Sequence, residues 1–160
     1  MQIAVISDTH RDKNSMRYSL NKIKRAEILF HLGDNIEDIQ FYKENFHGKI
    51  INVKGNCDFN CKEESEKIVH IDNIKFFITH GHKYNVKENI FRLNYKAHEI
   101  GAKVVLYGHT HIPSIEYEDG IWFINPGSLA LPRVRNKTLS LIDISADRIT
   151  PSIVDIDKYV

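Results

Sequence analysis

Apolar runs that are typical of strands alternate with helix-like segments along the first third of the chain. The runs cover residues 2–6, 27–32 and 49–53, and they are short and continuous, as in strands buried on both faces. Apolar positions recur at helical spacing after Asn14 or Ser15, either of which can cap a helix, and again over residues 36–46. This βαβαβ order predicts parallel strands joined by right-handed crossovers.

The rest of the chain is richer in strand-like segments. These are predicted at residues 67–71, 74–79, 103–107, 114–118, 121–125, 138–144 and 148–154. A helix is predicted over residues 86–100, and the last two strands are predicted to form a hairpin around residues 145–147. Pro151 predicts that the final strand lies at a sheet edge, because proline has no amide hydrogen to donate. So many strands predict two packed sheets with helices outside them.

The composition fits one globular domain that spans residues 1–160. Hydrophobic residues make up 42% and charged residues 27%, and the net charge of +1 disfavours a strongly basic nucleic-acid binder. No apolar segment approaches the ~18 residues of a membrane span, so no membrane association is expected. The N-terminus lacks the features of a signal peptide, and Cys57 and Cys61 give no indication of an oxidising compartment. We therefore expect a cytoplasmic protein.

Side chains that can bind metal ions follow five of the predicted strands. The seven candidates are Asp8, His10, Asp34, Asn56, His80, His109 and His111. Ligands of open α/β sheets bind beyond the carboxyl ends of the strands, so these side chains are expected at one edge. Imidazole and carboxylate groups together suit divalent Zn, Mn, Fe or Ni. Seven ligands exceed the roughly four that one ion needs, whereas two ions that share a carboxylate would use the whole set.

The spacing within two of these segments also favours chelation. If the segment is extended, Asp8 and His10 point the same way, because side chains alternate with a period of two. His109 and His111 would do the same, or they would flank a tight bend. Taken singly, each of these residues is also compatible with a polar turn or a helix cap, so the indication comes from their recurrence at successive strand ends.

The ordered motifs resemble those of the calcineurin-like metallophosphoesterases. They are D-x-H at 8–10, G-D at 33–34, G-N-x-D at 55–58, T-H-G-H at 79–82 and G-H-T-H at 108–111. The short length, G-N-C-D and the N-P-G-S segment at 125–128 are similar to the small prokaryotic phosphodiesterase branch, the YfcE type. The resemblance implies an α/β fold, a four-layer αββα sandwich of two mixed β-sheets. It also implies that N-P-G-S packs under the site and helps to position the ligand loops.

The resemblance further implies a dinuclear metal centre and a phosphodiesterase reaction. The first ion would be held by Asp8, His10, Asp34 and His111. The second would be held by Asp34, Asn56, His80 and His109, so that Asp34 bridges the two ions. The cofactors would be two divalent ions, with Mn²⁺ favoured and Ni²⁺, Fe²⁺, Zn²⁺ or Mg²⁺ as alternatives. A bridging hydroxide would attack the phosphorus of a phosphodiester in line, while His82 and the ions offset charge on the phosphoryl oxygens. The catalytic residues would then be His82 and Asp34.

One position departs from the family pattern. Many members have a histidine after the asparagine, where it can protonate the leaving oxygen, but this chain has Cys57. The proton could instead come from His82, from Asp58 or from solvent. Three arginines are either contacts for a substrate phosphate or solvated charges, namely Arg11, Arg133 and Arg135. The Tyr and Phe residues fall mostly at buried spacing, so the sequence indicates no base-stacking platform.

Two rival functions are weighed against hydrolysis of a small phosphodiester. The first is a non-catalytic protein-binding scaffold on the same fold, since the family also resembles a retromer coat subunit with an eroded metal set. The second is a metallo-β-lactamase-like hydrolase, but its H-x-H-x-D-H cluster does not occur, since Ile112 and Pro113 follow His111. Nucleic acid is expected only as a possible substrate. By resemblance, a homo-oligomer would be unsurprising.

Overall fold

Two five-stranded mixed β-sheets form the centre of the molecule. The structure is a computed structural model that describes residues 1–146 and 148–156. The strands are β1 (Gln2–Ile6), β2 (Ile28–His31), β3 (Lys49–Asn52), β4 (Glu66–Ile71), β5 (Ile74–Thr79), β6 (Val104–Leu106), β7 (Pro113–Glu118), β8 (Ile121–Pro126), β9 (Thr138–Ser145) and β10 (Arg148–Asp155). The helices are α1 (Lys13–Lys22), α2 (Ile39–Asn45) and α3 (Phe91–Ile100), with short 3-10 helices at Ile36–Asp38 and His82–Tyr84.

The strand order of the first sheet is β10-β9-β1-β2-β3. β1, β2 and β3 run parallel, as the βαβαβ pattern predicted, and β9 joins β1 antiparallel. β10 pairs only with β9 among the described strands, so Pro151 lies in an edge strand as predicted. The predicted turn at 145–147 includes Asp147, which lies outside the described residues. The second sheet has the order β4-β5-β6-β8-β7, with the parallel pairs at its centre.

The alternation of side chains along each strand separates three apolar layers. Ile3 and Val5 point into the core between the sheets, where they join side chains of the second sheet such as Phe76. Ala4 and Ile6 point the other way and pack in the layer that α1 and α2 cover. A third cluster lies under α3 on the outer face of the second sheet. The prediction of a four-layer αββα sandwich of two mixed β-sheets is confirmed.

The start of α1 differs from the sequence prediction. Asp12 is the N-cap, and its Oδ1 accepts a hydrogen bond from the Ser15 backbone N–H at 3.1 Å. Its Oδ2 also forms a 2.7 Å ion pair with Lys137. The prediction that Asn14 or Ser15 caps this helix is therefore wrong. The local spacing of apolar residues could not show that Lys137, which is distant along the chain, reaches the aspartate.

The third helix is shorter than the predicted segment 86–100. It begins at Phe91, and the 3-10 helix His82–Tyr84 precedes it, capped by Asn85 in a left-handed conformation with φ of 56°. Val86 is buried and packs against Gly81, where an added Cβ would lie 2.9 Å from the valine Cγ2. The apolar residue at 86 thus contacts the T-H-G-H loop rather than continuing the helical stripe. No helix in the described part of the chain is long and apolar enough to span a membrane.

Candidate metal centre

Four candidate ligands meet where the loops after β1, β2 and β6 converge. One ligand atom from each of Asp8, His10, Asp34 and His111 lies within 4.8 Å of the other three. The Nε2 of His111 is 2.9 Å from Asp8 Oδ1, and the Nε2 of His10 is 3.8 Å from the same oxygen. Both aspartates are buried. These contacts join residues that lie up to 103 positions apart in the sequence.

The remaining candidates gather on the other side of Asp34. The Nε2 of His80 lies 3.5 Å from Asp34 Oδ1 and 3.1 Å from Asn56 Oδ1. The Nδ1 of His109 lies 3.2 Å from the same His80 nitrogen. The structure therefore brings all seven predicted residues together, with Asp34 between the two groups. Asn56 is the most exposed of the second group and His80 the most buried.

The backbone turns sharply at five of the seven positions. Positive φ angles occur at Asp8 (55°), His10 (40°), Asp34 (61°), His109 (68°) and His111 (58°). The expectation that Asp8 and His10 lie in an extended segment is therefore wrong. Asp and His enter the left-handed region more readily than most residues, but it still costs free energy. The left-handed residues begin two or three residues after each strand ends, and the turns bring Asp8 with His10, and His109 with His111, toward the same site.

Ring nitrogens and carboxylate oxygens face one another in this site as acceptors. His80 Nδ1 donates to the Leu32 carbonyl at 2.8 Å, and His111 Nδ1 donates to the Leu131 carbonyl at 2.6 Å. In the neutral rings, each Nε2 therefore carries a lone pair and points it at a carboxylate. Asp8 Oδ1 and His10 Nε2 are buried without a hydrogen-bond partner among the described residues. A cation would satisfy all of these atoms, so the donor set fits divalent metal ions.

The pKa values agree with a site that is short of positive charge. The Asp8 carboxylate raises the pKa of His111, because a proton on His111 Nε2 would be donated in a hydrogen bond to Asp8 Oδ1, 2.9 Å away. Burial lowers the pKa of His109 to about 4, with His80 and Lys87 adding to the effect. Burial raises the pKa of Asp8, but hydrogen bonds and charge from His111 and His80 outweigh it, so the pKa is lowered overall. Neutral imidazoles and ionised carboxylates are the forms that bind metal ions.

Asp58 ties two of the ligand loops together. Its Oδ2 accepts the backbone N–H of Asp34 at 2.9 Å and of Gly55 at 2.7 Å, and its Oδ1 accepts that of Ile36 at 2.8 Å. Gly55 allows this close approach, since a Cβ there would lie 2.1 Å from Asp34 Oδ1. The Cys57 N–H also donates to Asp34 Oδ1 at 2.9 Å. The G-N-C-D loop thus holds Asp34 by backbone contacts as well as supplying Asn56.

The N-P-G-S segment supports the loops from below, in agreement with the sequence prediction. Asn125 Nδ2 donates to the Gly108 carbonyl at 3.1 Å, and Ser128 Oγ donates to the Asp8 carbonyl at 2.9 Å. Ser128 Oγ also accepts the Leu131 N–H, which places the carbonyl that orients His111. Sequence reasoning missed Ser7, whose hydroxyl donates to Asp8 Oδ2 at 2.5 Å. Its position directly before the D-x-H motif was the one available signal.

A buried chain of hydrogen bonds, which sequence reasoning also missed, lies under the first two loops. The Gly33 N–H donates to His31 Nδ1 at 3.2 Å, so the proton of the neutral ring is on Nε2, 3.2 Å from Thr9 Oγ1. The Thr9 hydroxyl in turn donates to Asp38 Oδ2 at 2.6 Å. Complete burial lowers the pKa of His31 to about 4, so the ring stays neutral. This chain joins the Asp8–His10 loop to the Asp34 loop.

Comparison with known proteins identifies the family of this chain. The calcineurin-like phosphoesterase superfamily domain matches residues 1–147. The chain belongs to the calcineurin-like phosphoesterase superfamily. It is therefore a phosphoric ester hydrolase, and membership implies that it uses divalent metal ions. The resemblance that the motifs indicated is confirmed over nearly the whole chain.

Two relatives and two solved structures illustrate the range of similarity. A probable metallophosphoesterase of Bacillus subtilis, YsnB, is 32% identical over 97% of this chain and 91% of its own length. A phosphodiesterase of Methanocaldococcus jannaschii, MJ0936, is 31% identical over 89% of this chain and 93% of its own. A predicted phosphoesterase from Streptococcus pneumoniae is 30% identical, with a TM-score of 0.84 over 99% of this chain and 91% of its own. Vps29 of Entamoeba histolytica has a TM-score of 0.78 over 97% and 99%, but at 19% identity this likeness shows the fold alone.

The structure bears on which side chain could protonate the leaving oxygen, a question that the sequence left open. Burial, together with Asp34, raises the pKa of Cys57 to about 11, so the thiol holds its proton tightly. Both oxygens of Asp58 are occupied by backbone N–H groups. His82 lies beside the site, with its ring centroid 5.4 Å from that of His80 and 6.1 Å from that of His109. Its buried Nδ1 has no hydrogen-bond partner among the described residues, and burial lowers its pKa.

Proposed function

We propose that this phosphoesterase hydrolyses phosphodiesters with two divalent ions that share Asp34. Asp8, His10, Asp34 and His111 would hold one ion, and Asp34, Asn56, His80 and His109 would hold the other. One observation carries this proposal: buried carboxylate oxygens and imidazole lone pairs face one another in two groups, on either side of Asp34. The relatives named as phosphodiesterases support the diester as substrate.

The protein's own groups would orient the reaction. Two divalent ions, when bound, would lower the pKa of a water toward ~7 and offset charge on the phosphoryl oxygens. Asp34 would set the separation of the two ions, because Asp58, Cys57 and Gly55 hold its carboxylate and backbone in place. The His82 ring lies beside those of His80 and His109, where it would offset charge on a phosphoryl oxygen.

Mn²⁺ is the ion that we expect to support the highest rate. The proposed second group combines a carboxylate, an amide oxygen and two imidazoles, and this mixture of oxygen and nitrogen ligands suits Mn²⁺ better than a site made only of nitrogen or sulfur. Ni²⁺, Fe²⁺, Zn²⁺ and Mg²⁺ are the alternatives for the same ligands. The scaffold role is disfavoured here because each of the seven proposed ligands keeps a side chain that can bind a metal.

The test is hydrolysis of bis(p-nitrophenyl) phosphate in Mn²⁺, with metal content measured by elemental analysis. We expect two ions per wild-type chain. We also expect kcat to fall at least about a hundredfold in Asp34→Asn and in His80→Ala, the size of loss seen when a group that stabilises the transition state is removed. His70→Ala is the matched control, because His70 is an exposed histidine on β4 outside the site. Wild-type rates in both site variants would overturn the proposal. Inactivity of the wild type in Mn²⁺, Ni²⁺ and Mg²⁺, with a protein partner co-purifying, would favour the scaffold role.

A further inference from the structure

A cavity of about 660 Å³ lies beside the candidate metal centre. Its volume is within the range of small-molecule sites. Thr110, which lines it, stands between His109 and His111 in the chain, so the cavity and the metal centre share this segment as a wall. Arg133 also lines the cavity, and its backbone N–H donates to the His111 carbonyl at 3.0 Å. A group bound there would be next to the ligands of the first proposed ion.

The lining of this cavity is largely apolar and partly aromatic. Val86 and Tyr107 are almost completely buried in its wall, and Ile90 and Ile112 add aliphatic surface. Phe91, the first residue of α3, also lines it and exposes 76% of its surface. An exposed phenylalanine beside an apolar cavity offers a ring that a flat ligand can stack on. The sequence predicted that the Tyr and Phe residues are mostly buried, and Phe91 is an exception.

Charged and polar groups accompany the apolar lining. Lys87 and Arg133 supply two positive charges, against one negative charge from Glu116. Both cations belong to segments that neighbour the proposed ligands: Lys87 follows Val86, which packs against Gly81 of the T-H-G-H loop, and the Arg133 backbone N–H donates to the His111 carbonyl. The cavity wall next to the metal centre therefore carries two positive charges. Ser114 and Tyr107 share a 3.0 Å hydroxyl contact and can bond to polar atoms of a bound ring.

A second cavity near the metal centre has a different character. It measures about 420 Å³, and polar side chains such as Arg11, Glu37 and Asp58 line it together with Ile36 and the exposed Phe59. An aromatic group bound there would displace water from the charged groups. The larger cavity, whose lining is mostly apolar, therefore suits the apolar part of a substrate better.

We propose that the larger cavity binds an aromatic ester group of the substrate, so that this chain prefers aryl or nucleoside phosphodiesters to alkyl ones. The proposal rests on the proposed function, because it places the phosphate at the metal centre. Phe91 forms the stacking surface, Ile90 and Ile112 enclose the ring, and Lys87 and Arg133 attract the anionic end. This residue set lies outside the seven proposed ligands.

The test compares two phosphomonoesters as competitive inhibitors of bis(p-nitrophenyl) phosphate hydrolysis in Mn²⁺. Both carry the same phosphate, but phenyl phosphate has a ring and methyl phosphate does not. We expect phenyl phosphate to have an inhibition constant about tenfold lower in the wild type, and Phe91→Ala to reduce this ratio about fivefold, the size of an aromatic contact. Phe91→Tyr should keep the ratio. Tyr95→Ala is the matched control, since Tyr95 lies one turn further along α3, is 77% exposed and does not line the cavity.

The outcomes separate this proposal from the function on which it rests. Equal inhibition by the two monoesters in the wild type, or a ratio that Phe91→Ala leaves unchanged, would overturn the aromatic subsite while hydrolysis of the reporter stands. An equal loss of the ratio in Tyr95→Ala would also overturn it, because the effect would then not be local to the cavity. Absence of reporter hydrolysis with every divalent ion would overturn the proposed function, and the subsite with it.

Discussion

Removing the Asp58 carboxylate should weaken metal binding and lower stability, although Asp58 is not itself a proposed ligand. Its two oxygens accept three backbone N–H groups, from Asp34, Gly55 and Ile36, at 2.7 to 2.9 Å. These bonds connect the loop after β2 to the loop after β3. In Asp58→Ala all three donors lose their partner. In Asp58→Asn one carbonyl oxygen can still serve Asp34 and Gly55, whereas the amide NH₂ would face the Ile36 N–H, donor against donor.

The size of the effect follows from the three bonds. A hydrogen bond to a charged group contributes about 1.5–3 kcal/mol to stability. Asp58 is only half-buried, so in the variant water can bond to some of the N–H groups that lose the carboxylate. We therefore assign about 1 kcal/mol to each of the three bonds. Asp58→Ala should then lower the free energy of unfolding by about 3 kcal/mol, and Asp58→Asn by about 1–2 kcal/mol. Affinity for Mn²⁺ should fall by about 10–100-fold in Asp58→Ala, as when a residue that orients metal ligands is removed.

The two effects need separate assays. Urea unfolding with EDTA present measures the stability of the metal-free chain, and calorimetric titration with Mn²⁺ measures affinity at a temperature where each variant is folded. Asp143→Ala is the matched control, because Asp143 is exposed and its side chain accepts one hydrogen bond, from Gln2. The control should stay within about 0.5 kcal/mol of the wild type. If Asp58→Ala behaved like the control in both assays, Asp58 would not be the tie between these loops.

Two further predictions concern stability in EDTA. Asp12→Ala should lower the free energy of unfolding by about 1–2 kcal/mol, because Asp12 caps α1, whereas the exposed Asn14→Ala should change little; equal losses in urea unfolding would contradict the observed cap. His31 has its pKa lowered to about 4 from 6.5 in the folded state. As pH falls from 6.5 to 4, the unfolded chain gains a proton at His31 that the folded chain does not, so stability should fall by up to about 3 kcal/mol. His31→Gln should show a correspondingly flatter unfolding free energy against pH, and an unchanged profile would contradict the assignment.

The candidate ligands could be predicted because each one follows a strand that the sequence marks clearly. The apolar runs that become β1, β2 and β6 are short and continuous, and these strands end two or three residues before Asp8, Asp34 and His109. Parallel strands bring their carboxyl ends to one edge, so the identity and order of the polar residues suffice to indicate a shared site. The apolar runs and the polar residues that follow them can be read from short stretches of sequence.

The geometry of those ligands was decided by contacts between distant parts of the chain. Asp8 and His10 were expected in an extended segment, yet both have positive φ, held by contacts such as the bond from Ser128 to the Asp8 carbonyl, 120 residues away. Asp58 was one possible proton donor in the sequence, and in the structure its oxygens are taken by N–H groups 22 and 24 residues distant and by Gly55.

The sequence by itself thus determined the strands, the two-sheet architecture and the residue types of the site, because periodicity and strand-end residues depend on near neighbours. Only the tertiary structure decided which lone pairs face each other, where α3 begins and that Phe91 borders a cavity beside His109 and His111. These features depend on how the loops of the two sheets pack against each other. The free energy that selects one loop conformation comes from partners that no short window of sequence contains.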